Sequence, residues 1–266
     1  MAKSREIEVS NPMVVRGIDR VLTVQRPVVL AHIRGIRRGR PNATPEELIR
    51  TLERRYLAAV TTGGALVGAS AAVPAIGTGA SLALSGVETA GFLEASALFA
   101  QSVTEVHGIV VDDPDRARAL VMAMVLGTAG SDIVKQFAGQ AAGGGGKNVF
   151  WGEMLTKNMP RGLVGPIADR IKRTFLKKFA VAQGTNVVGR LIPFGIEAVV
   201  GGGGNHLLGR QIVRSSREAF SAAPATFPEW LAFVPEKPKV PKGPRSPKAP
   251  KALRALRRRK AIEPPR

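Results

Sequence analysis

Between Leu57 and Val87 the chain runs for 31 residues without a charged side chain, filling the stretch mostly with Ala, Gly, Ser and Thr rather than Leu, Ile and Phe. That composition suits helices packed backbone to backbone, because small side chains let helix axes approach closely. Gly64 and Gly68 stand four residues apart, the spacing that puts both on one helical face. Gly77, Gly79, Gly195 and Gly201 are further expected points of close helix packing.

The stretch also raises the question of lipid. A spanning helix needs about 20 mainly apolar residues, and from Leu57 to Ala75 the large apolar groups are Leu57, Val60, Leu66, Val67 and Val73. These five supply only about −2 kcal/mol of insertion free energy, which Gly, Ser, Thr and Pro74 can cancel. Two readings stay open: a hairpin that dips into or spans a bilayer, and a buried hairpin whose small residues permit tight packing. Glu88 and Glu94 would be costly in lipid unless they faced other helices.

Helix punctuation is frequent along the 266 residues. Asn11-Pro12 can open a first amphipathic segment, which Pro27 interrupts, and a basic stretch follows from Val28 to Arg40. Thr44-Pro45-Glu46-Glu47 combines an N-cap, proline at the first helical position and a carboxylate able to complete a capping box, so a helix is predicted from there to about Val73. After a break at residues 74–79 a second helix is predicted from Ala80 to Val106, stopping at Gly108. Asp113-Pro114 repeats the cap-plus-proline signal and opens a helix to about Leu126, with a shorter one from Ser131 to Gln140. Gly143 to Gly146 read as a joint.

Pro166 is expected to start the next helix, with Ile167, Ile171, Phe175 and Phe179 on one stripe and Arg170, Lys172, Arg173, Lys177 and Lys178 on a basic face; two readings stay open, an ordinary solvated face and an in-plane helix with Ile and Phe at the acyl boundary and the cations on headgroups. A last hairpin turns at Pro193-Phe194-Gly195 and continues to Phe220. Gly201 to Gly204 inside it cost about 1 kcal/mol each relative to Ala, which close backbone contact is expected to offset. No run of alternating β-branched residues bounded by turns occurs, so the prediction is an all-α bundle of paired, Gly/Ala-rich helical hairpins. It divides into a basic N-terminal helical segment (1–44), a helical domain (45–234) and a disordered Pro/Lys/Arg-rich tail (235–266).

Formal net charge is +19, and residues 235–266 alone hold 12 basic against 2 acidic side chains. The basic pI is therefore largely a property of the tail, and a polyanionic surface is the expected partner. In the tail Pro235, Pro238, Pro241, Pro244, Pro247 and Pro250 recur every third residue, with Lys239, Lys242, Arg245, Lys248 and Lys251 one step behind. Polyproline II has three residues per turn, so prolines and cations would line separate ridges of an extended rod. It ends in Arg257-Arg258-Arg259-Lys260. A solubilising extension, a phosphate-binding tail directed at lipid or nucleic acid, and a polyproline ligand are all compatible with this pattern. With no aromatic residue on which a base could stack, the tail is poorly suited to single-stranded nucleic acid.

Several chemistries find no support. The chain has no cysteine, which excludes disulfides and thiol chemistry. Gly143-Gly144-Gly145-Gly146-Lys147 fails as a phosphate loop because Ala141 and Asn148 occupy key positions, and Gly77-Thr78-Gly79 fails as a dinucleotide fingerprint. Asp112, Asp113 and Asp115 read first as a helix cap, and His32, His107 and His206 are too dispersed to suggest a metal site. No catalytic, cofactor-binding or metal-ligating residue is expected. The charged opening Met1 to Ser10 is not followed by a Leu-rich segment, so a cleaved secretory signal is not expected.

Glu53-Arg54-Arg55-Tyr56 leading into the small-residue hairpin, Val73 to Gly79, Glu105-Val106-His107-Gly108 with Asp112-Asp113-Pro114, and Leu191 to Gly195 running on to Gly201 and Asn205 together resemble the bacterial EcsC family. The resemblance spans about residues 45–220 and excludes both basic ends. It implies a helical, membrane-associated bacterial protein and carries over no catalytic residue. The expected function is thus binding of anionic lipid at the cytoplasmic face of the cell membrane, through Arg170, Lys172, Arg173, Lys177, Lys178 and the Arg257 to Lys260 cluster. The alternative is nucleic-acid association, with DNA or RNA held by the tail and the body forming a homo-oligomer. An interaction or membrane-organising role is expected ahead of an enzymatic one.

Overall fold

A computed structural model describes residues 12–71, 78–141, 161–189, 196–220 and 222–232. The described residues form eight α-helices and a single 3-10 turn, without a strand. The helices are α1 (Pro12–Val21), α2 (Arg26–Arg38), α3 (Pro45–Ala71), α4 (Thr78–Val106), α5 (Pro114–Leu126), α6 (Thr128–Ala141), α7 (Arg161–Gly189) and α8 (Ile196–Phe220). The all-α expectation is met. The chain divides into a unit Met1–Ala232 and a unit Phe233–Arg266; the second, with Arg257, Arg258, Arg259 and Lys260, lies outside the described residues, as do Gly77 and Gly195.

Helix starts follow local chemistry. At α3 the Thr44 backbone N–H donates to Glu47 Oε2 at 2.9 Å and the Glu47 N–H donates to Thr44 Oγ1 at 3.3 Å, a reciprocal capping box. At α5 the Asp113 carboxylate accepts from the Asp115 N–H at 2.9 Å, so this acid caps a helix as its sequence position suggested. Gly127, at φ 63°, supplies the left-handed residue that lets α6 begin at Thr128, three residues earlier than the sequence predicted. Pro166 does not start a helix. It sits inside α7, which begins at Arg161, so its missing N–H falls near the helix start and leaves one carbonyl of the first turn without its helical partner.

Helix α4 runs through the centre. From Phe99 to Val106 every residue is buried, and the helix packs on α1, α2, α3, α5 and α8. A segment enclosed on all sides cannot be amphipathic, and its polar side chains have only the interior to bond to: Gln101 Nε2 and Ser102 Oγ have no partner there, whereas others do. Thr104 Oγ1 donates to the Ala100 carbonyl at 2.8 Å, and Ser96 pairs with the Tyr56 hydroxyl at 2.8 Å. Buried Glu105 accepts from Arg26 Nε at 2.5 Å, Arg26 Nη2 at 3.2 Å and Trp230 Nε1 at 2.7 Å. One carboxylate thus joins α4, α2 and the segment after α8, and Arg37 stacks over Phe227 at 4.0 Å beside it. Ile18, Leu22, Val29, Ile33 and Ile36 are buried in the same core, so α1 and α2 are part of the bundle.

Helices α3 and α8 form the most extensive pairing, antiparallel to one another. Glu53 on α3 accepts from Arg217 Nε and Nη2 at 2.7 and 2.6 Å, and Thr61 Oγ1 lies 3.0 Å from His206 Nδ1. Between these ties a Cβ on Gly209 would stand 3.0 Å from Val60 Cγ2 and 3.1 Å from Leu57 Cδ2. Close packing therefore falls at Gly209, with Gly64 buried on α3. Gly68, Gly79 and Gly201 lie within α3, α4 and α8 respectively. The four-glycine run does not break α8, but contact does not offset its cost at Gly203 and Gly204: both are exposed with nothing within 4 Å of a Cβ. Gly209→Leu is expected to lower stability by about 1–3 kcal/mol through overpacking, whereas Gly203→Ala raises it by about 0.5–1 kcal/mol through helix propensity; urea unfolding of the two variants reads both signs.

Candidate functional site

The register of α3, α4 and α8 sorts charge along the bundle. On α3 the charged residues Glu46, Glu47, Arg50, Glu53, Arg54 and Arg55 occupy the first half, and none follows from Leu57 to Ala71. On α8 the charges Arg210, Arg214, Arg217 and Glu218 lie in the second half, Glu197 stands in the first turn, and Ala198 to Gly209 between them carry none. Because the two helices run antiparallel, their charge-free stretches lie side by side, with Glu197 beyond them at the start of α8. On α4 the residues from Thr78 to Val87 are charge-free, and the Tyr56–Ser96 and Tyr56–Phe99 contacts bring that end level with the others.

Large apolar side chains are exposed at this end. Leu66 is 67% exposed, Val87 68% and Leu207 68%, one from each helix, with Leu208 beside them at 47%. Among the described residues only two further large apolar groups, Met13 and Val28, are comparably exposed. Gly63, Gly86, Gly203 and Gly204 are also exposed around the three leucine and valine side chains, so the surface is smooth as well as apolar.

One acid stands at the boundary. Glu88 is half-buried, and its carboxylate accepts from Asn205 Nδ2 at 2.9 Å. Burial raises its pKa above the ordinary carboxylate value, with the Asn205 hydrogen bond acting in the opposite direction. The cost of Glu88 near lipid, foreseen from the sequence, is thus reduced by a facing helix. Glu94, two turns further on, is exposed.

The basic face of α7 is present, while its apolar stripe is not available to lipid. Ile167, Ile171 and Phe175 are 2%, 0% and 2% exposed, packed within the core beside α5. An in-plane helix with this stripe among acyl chains is therefore ruled out, because the bundle already buries it. Phe179 is on the same helix, outside the described side chains. Arg170, Arg173, Lys177 and Lys178 are exposed, but Lys172 Nζ is bonded to Asp19 Oδ2 on α1 at 2.7 Å, a structural tie that pure sequence spacing cannot reveal.

The sequence reading missed a second cationic region. Arg40, Arg50, Arg54 and Arg217 border one groove at the charged end of α3 and α8. The signal was the density of arginine from Arg34 to Arg55, but Arg217 joins only through the α3–α8 pairing. No group of three His, Asp or Glu side chains suited to a metal ion occurs among the described residues. His107 stacks on Phe220 with ring centroids 5.1 Å apart, and burial lowers its pKa.

No family model, curated protein or solved structure matches the chain. Among the described residues no helix is long and apolar enough to cross a membrane, so the spanning form of the lipid expectation finds no helix to carry it.

For Glu88, the folded pKa lies above the unfolded one, so the folded state binds the extra proton and stability falls as pH rises from the unfolded value toward the folded one. Glu88→Gln keeps an acceptor for Asn205 and removes the buried charge. It is expected to raise the melting temperature at pH 7 and to leave it nearly unchanged at pH 4, as read by thermal unfolding monitored by circular dichroism.

Proposed function

We propose that this is a membrane-associated helical protein that docks on anionic lipid surfaces, its charge-free bundle end against the bilayer and its basic faces toward headgroups. The observation that carries the reading is the charge-free stretch shared by α3 (Leu57–Ala71), α4 (Thr78–Val87) and α8 (Ala198–Gly209, following Glu197), where Leu66, Val87 and Leu207 face solvent. Exposed apolar patches rimmed by polar surface mark docking sites. A bilayer accepts such an end at shallow depth without requiring any helix to span it, which agrees with the absence of a crossing helix among the described residues.

Electrostatics add to the contact. Near an anionic surface each Lys or Arg contributes about 1 kcal/mol, and α7 presents Arg173, Lys177 and Lys178 on its exposed face. The tail, with 12 basic and 2 acidic residues in positions 235–266, supplies a further tether. The resemblance to the EcsC family leads to the same membrane-associated, bacterial setting at the inner face of the cell membrane, and it rests on the sequence alone, since no family model matches. The tail's charge is equally suited to the phosphates of DNA or RNA, and that reading is separated by the same experiment.

Full-length protein is expected to sediment with vesicles containing anionic lipid and to remain in solution with zwitterionic ones. Leu66→Asp with Leu207→Asp should weaken vesicle binding at least fivefold, while stability stays within about 0.5 kcal/mol because both positions are exposed. Retention of duplex DNA at physiological salt together with indifference to anionic vesicles would instead favour the nucleic-acid role.

A further inference from the structure

At the opposite end of α3 from the apolar surface, four arginines surround a groove of about 790 Å³ formed by the α2–α3 corner and the last turns of α8. Of the two glutamates in the groove, one is paired with a cation and the other, Glu47, caps α3 while keeping its charge. Glu53 is 6% exposed and both of its oxygens are taken by Arg217, while Glu47 Oε2 accepts the Thr44 N–H as part of the α3 cap. Arg50 Nη2 meets Glu46 at 2.5 Å.

Arg40 and Arg54 are placed differently. Arg40 Nη1 donates to Thr51 Oγ1 at 3.3 Å, and Arg54 Nη2 reaches the same oxygen at 3.5 Å. Those two nitrogens are therefore no more than about 6.8 Å apart, the sum of the two distances. The other bond from Arg54, Nε to the Arg50 carbonyl at 3.3 Å, also ends on a neutral oxygen. The Thr51 hydroxyl spends its own proton on the Glu47 carbonyl at 2.8 Å, so it accepts from the guanidiniums without neutralising them.

Two like charges are thus directed at one hydroxyl across an open groove. Their position is fixed from both sides: Arg54 by the α3 helix, and Arg40 by consecutive turns in which the Arg40 N–H donates to the Arg37 carbonyl and the Ala43 N–H donates to the Arg40 carbonyl. A multivalent anion relieves this arrangement, and guanidinium forks match the oxygens of a phosphate.

A second hollow of about 730 Å³ shares Arg50, Glu53 and Arg217 with the first, and is bordered by Ile49, Val103 and His107. It adjoins the cationic groove and offers the apolar side chains Ile49 and Val103 beside polar ones. Both volumes are in the range of small-molecule sites. We infer that the arginine groove binds the phosphate group of a small phosphorylated molecule, gripped by Arg40 and Arg54, with the organic part extending past Arg50 and Arg217 toward Ile49 and Val103. The inference does not rest on the membrane reading. Twelve residues of helix separate Arg54 from Leu66, about 18 Å at 1.5 Å per residue, so a bilayer meeting the apolar end leaves the groove open to solution.

The test is calorimetric titration of the full-length protein with inorganic phosphate and with glycerol 3-phosphate, at constant ionic strength in chloride buffer. Arg40→Gln with Arg54→Gln, both at exposed positions, is compared with Arg257→Gln and Arg258→Gln in the tail, and circular dichroism checks that each variant folds. Expected are at least fivefold weaker binding of both ligands by the groove variant, affinity within twofold of the parent for the tail variant, and unchanged sedimentation of the groove variant with anionic vesicles. Equal phosphate affinity in parent and groove variant overturns the site. Loss of vesicle binding by the groove variant, without any change in binding of the soluble ligands, makes lipid the source of the phosphate and overturns the soluble ligand.

Discussion

The antiparallel seam between α3 and α8 is the constraint on which the rest of the structure depends. Its register is set three times over: by the Glu53–Arg217 ion pair, by Gly209 against Leu57 and Val60, and by Thr61 beside His206. These ties differ in kind. Buried Glu53 needs a cation, and its carboxylate in turn raises the Arg217 pKa; Gly209 needs only the absence of a side chain. A shift of one helical turn would leave a carboxylate buried without its partner and drive side chains into the space above Gly209, two costs that act together.

That register decides where the surface chemistry lies. Apart from Glu197 in the first turn of α8, charge on these two helices is confined by sequence to the first half of α3 and the second half of α8, but only an antiparallel pairing brings the charge-free stretches Leu57–Ala71 and Ala198–Gly209 side by side and the arginines to the other end. The apolar end and the arginine groove are therefore two outcomes of one packing arrangement, about 18 Å apart along α3 at the standard helical rise. Central α4 makes this possible by filling the interior from Phe99 to Val106, and Glu105 fastens Arg26 and Trp230 to it so that α2 and the segment after α8 close over the core.

What the sequence made legible was what local chemistry determines. Thr44-Pro45-Glu46-Glu47 and Asp113-Pro114 mark helix starts because caps act over three or four residues, and Val106 with Gly108 marks an end for the same reason. The absence of strands among the described residues followed from the periodicity. Where reading failed, a distant partner was responsible. The apolar stripe of α7 looked available to lipid until the neighbouring helices covered Ile167, Ile171 and Phe175, and Lys172 looked like a surface charge until Asp19 of α1 met it. The groove needed Arg40 and Arg217, 177 positions apart in the chain, to fall beside one another. The run Gly201 to Gly204 misled in the other direction: at Gly203 and Gly204 it looked like a packing device, and it is an exposed, uncharged surface instead.

The central claim is that the charge-free end of the three-helix core is the part that meets lipid. The chain contains no cysteine, so Leu66→Cys and Glu46→Cys each provide a single attachment point for an environment-sensitive fluorophore, one at each end of α3. On addition of anionic vesicles the account predicts a blue shift and intensity gain for the label at position 66 and little change at position 46. An unchanged spectrum at position 66 while the protein is bound, or an equal response at both positions, would contradict it.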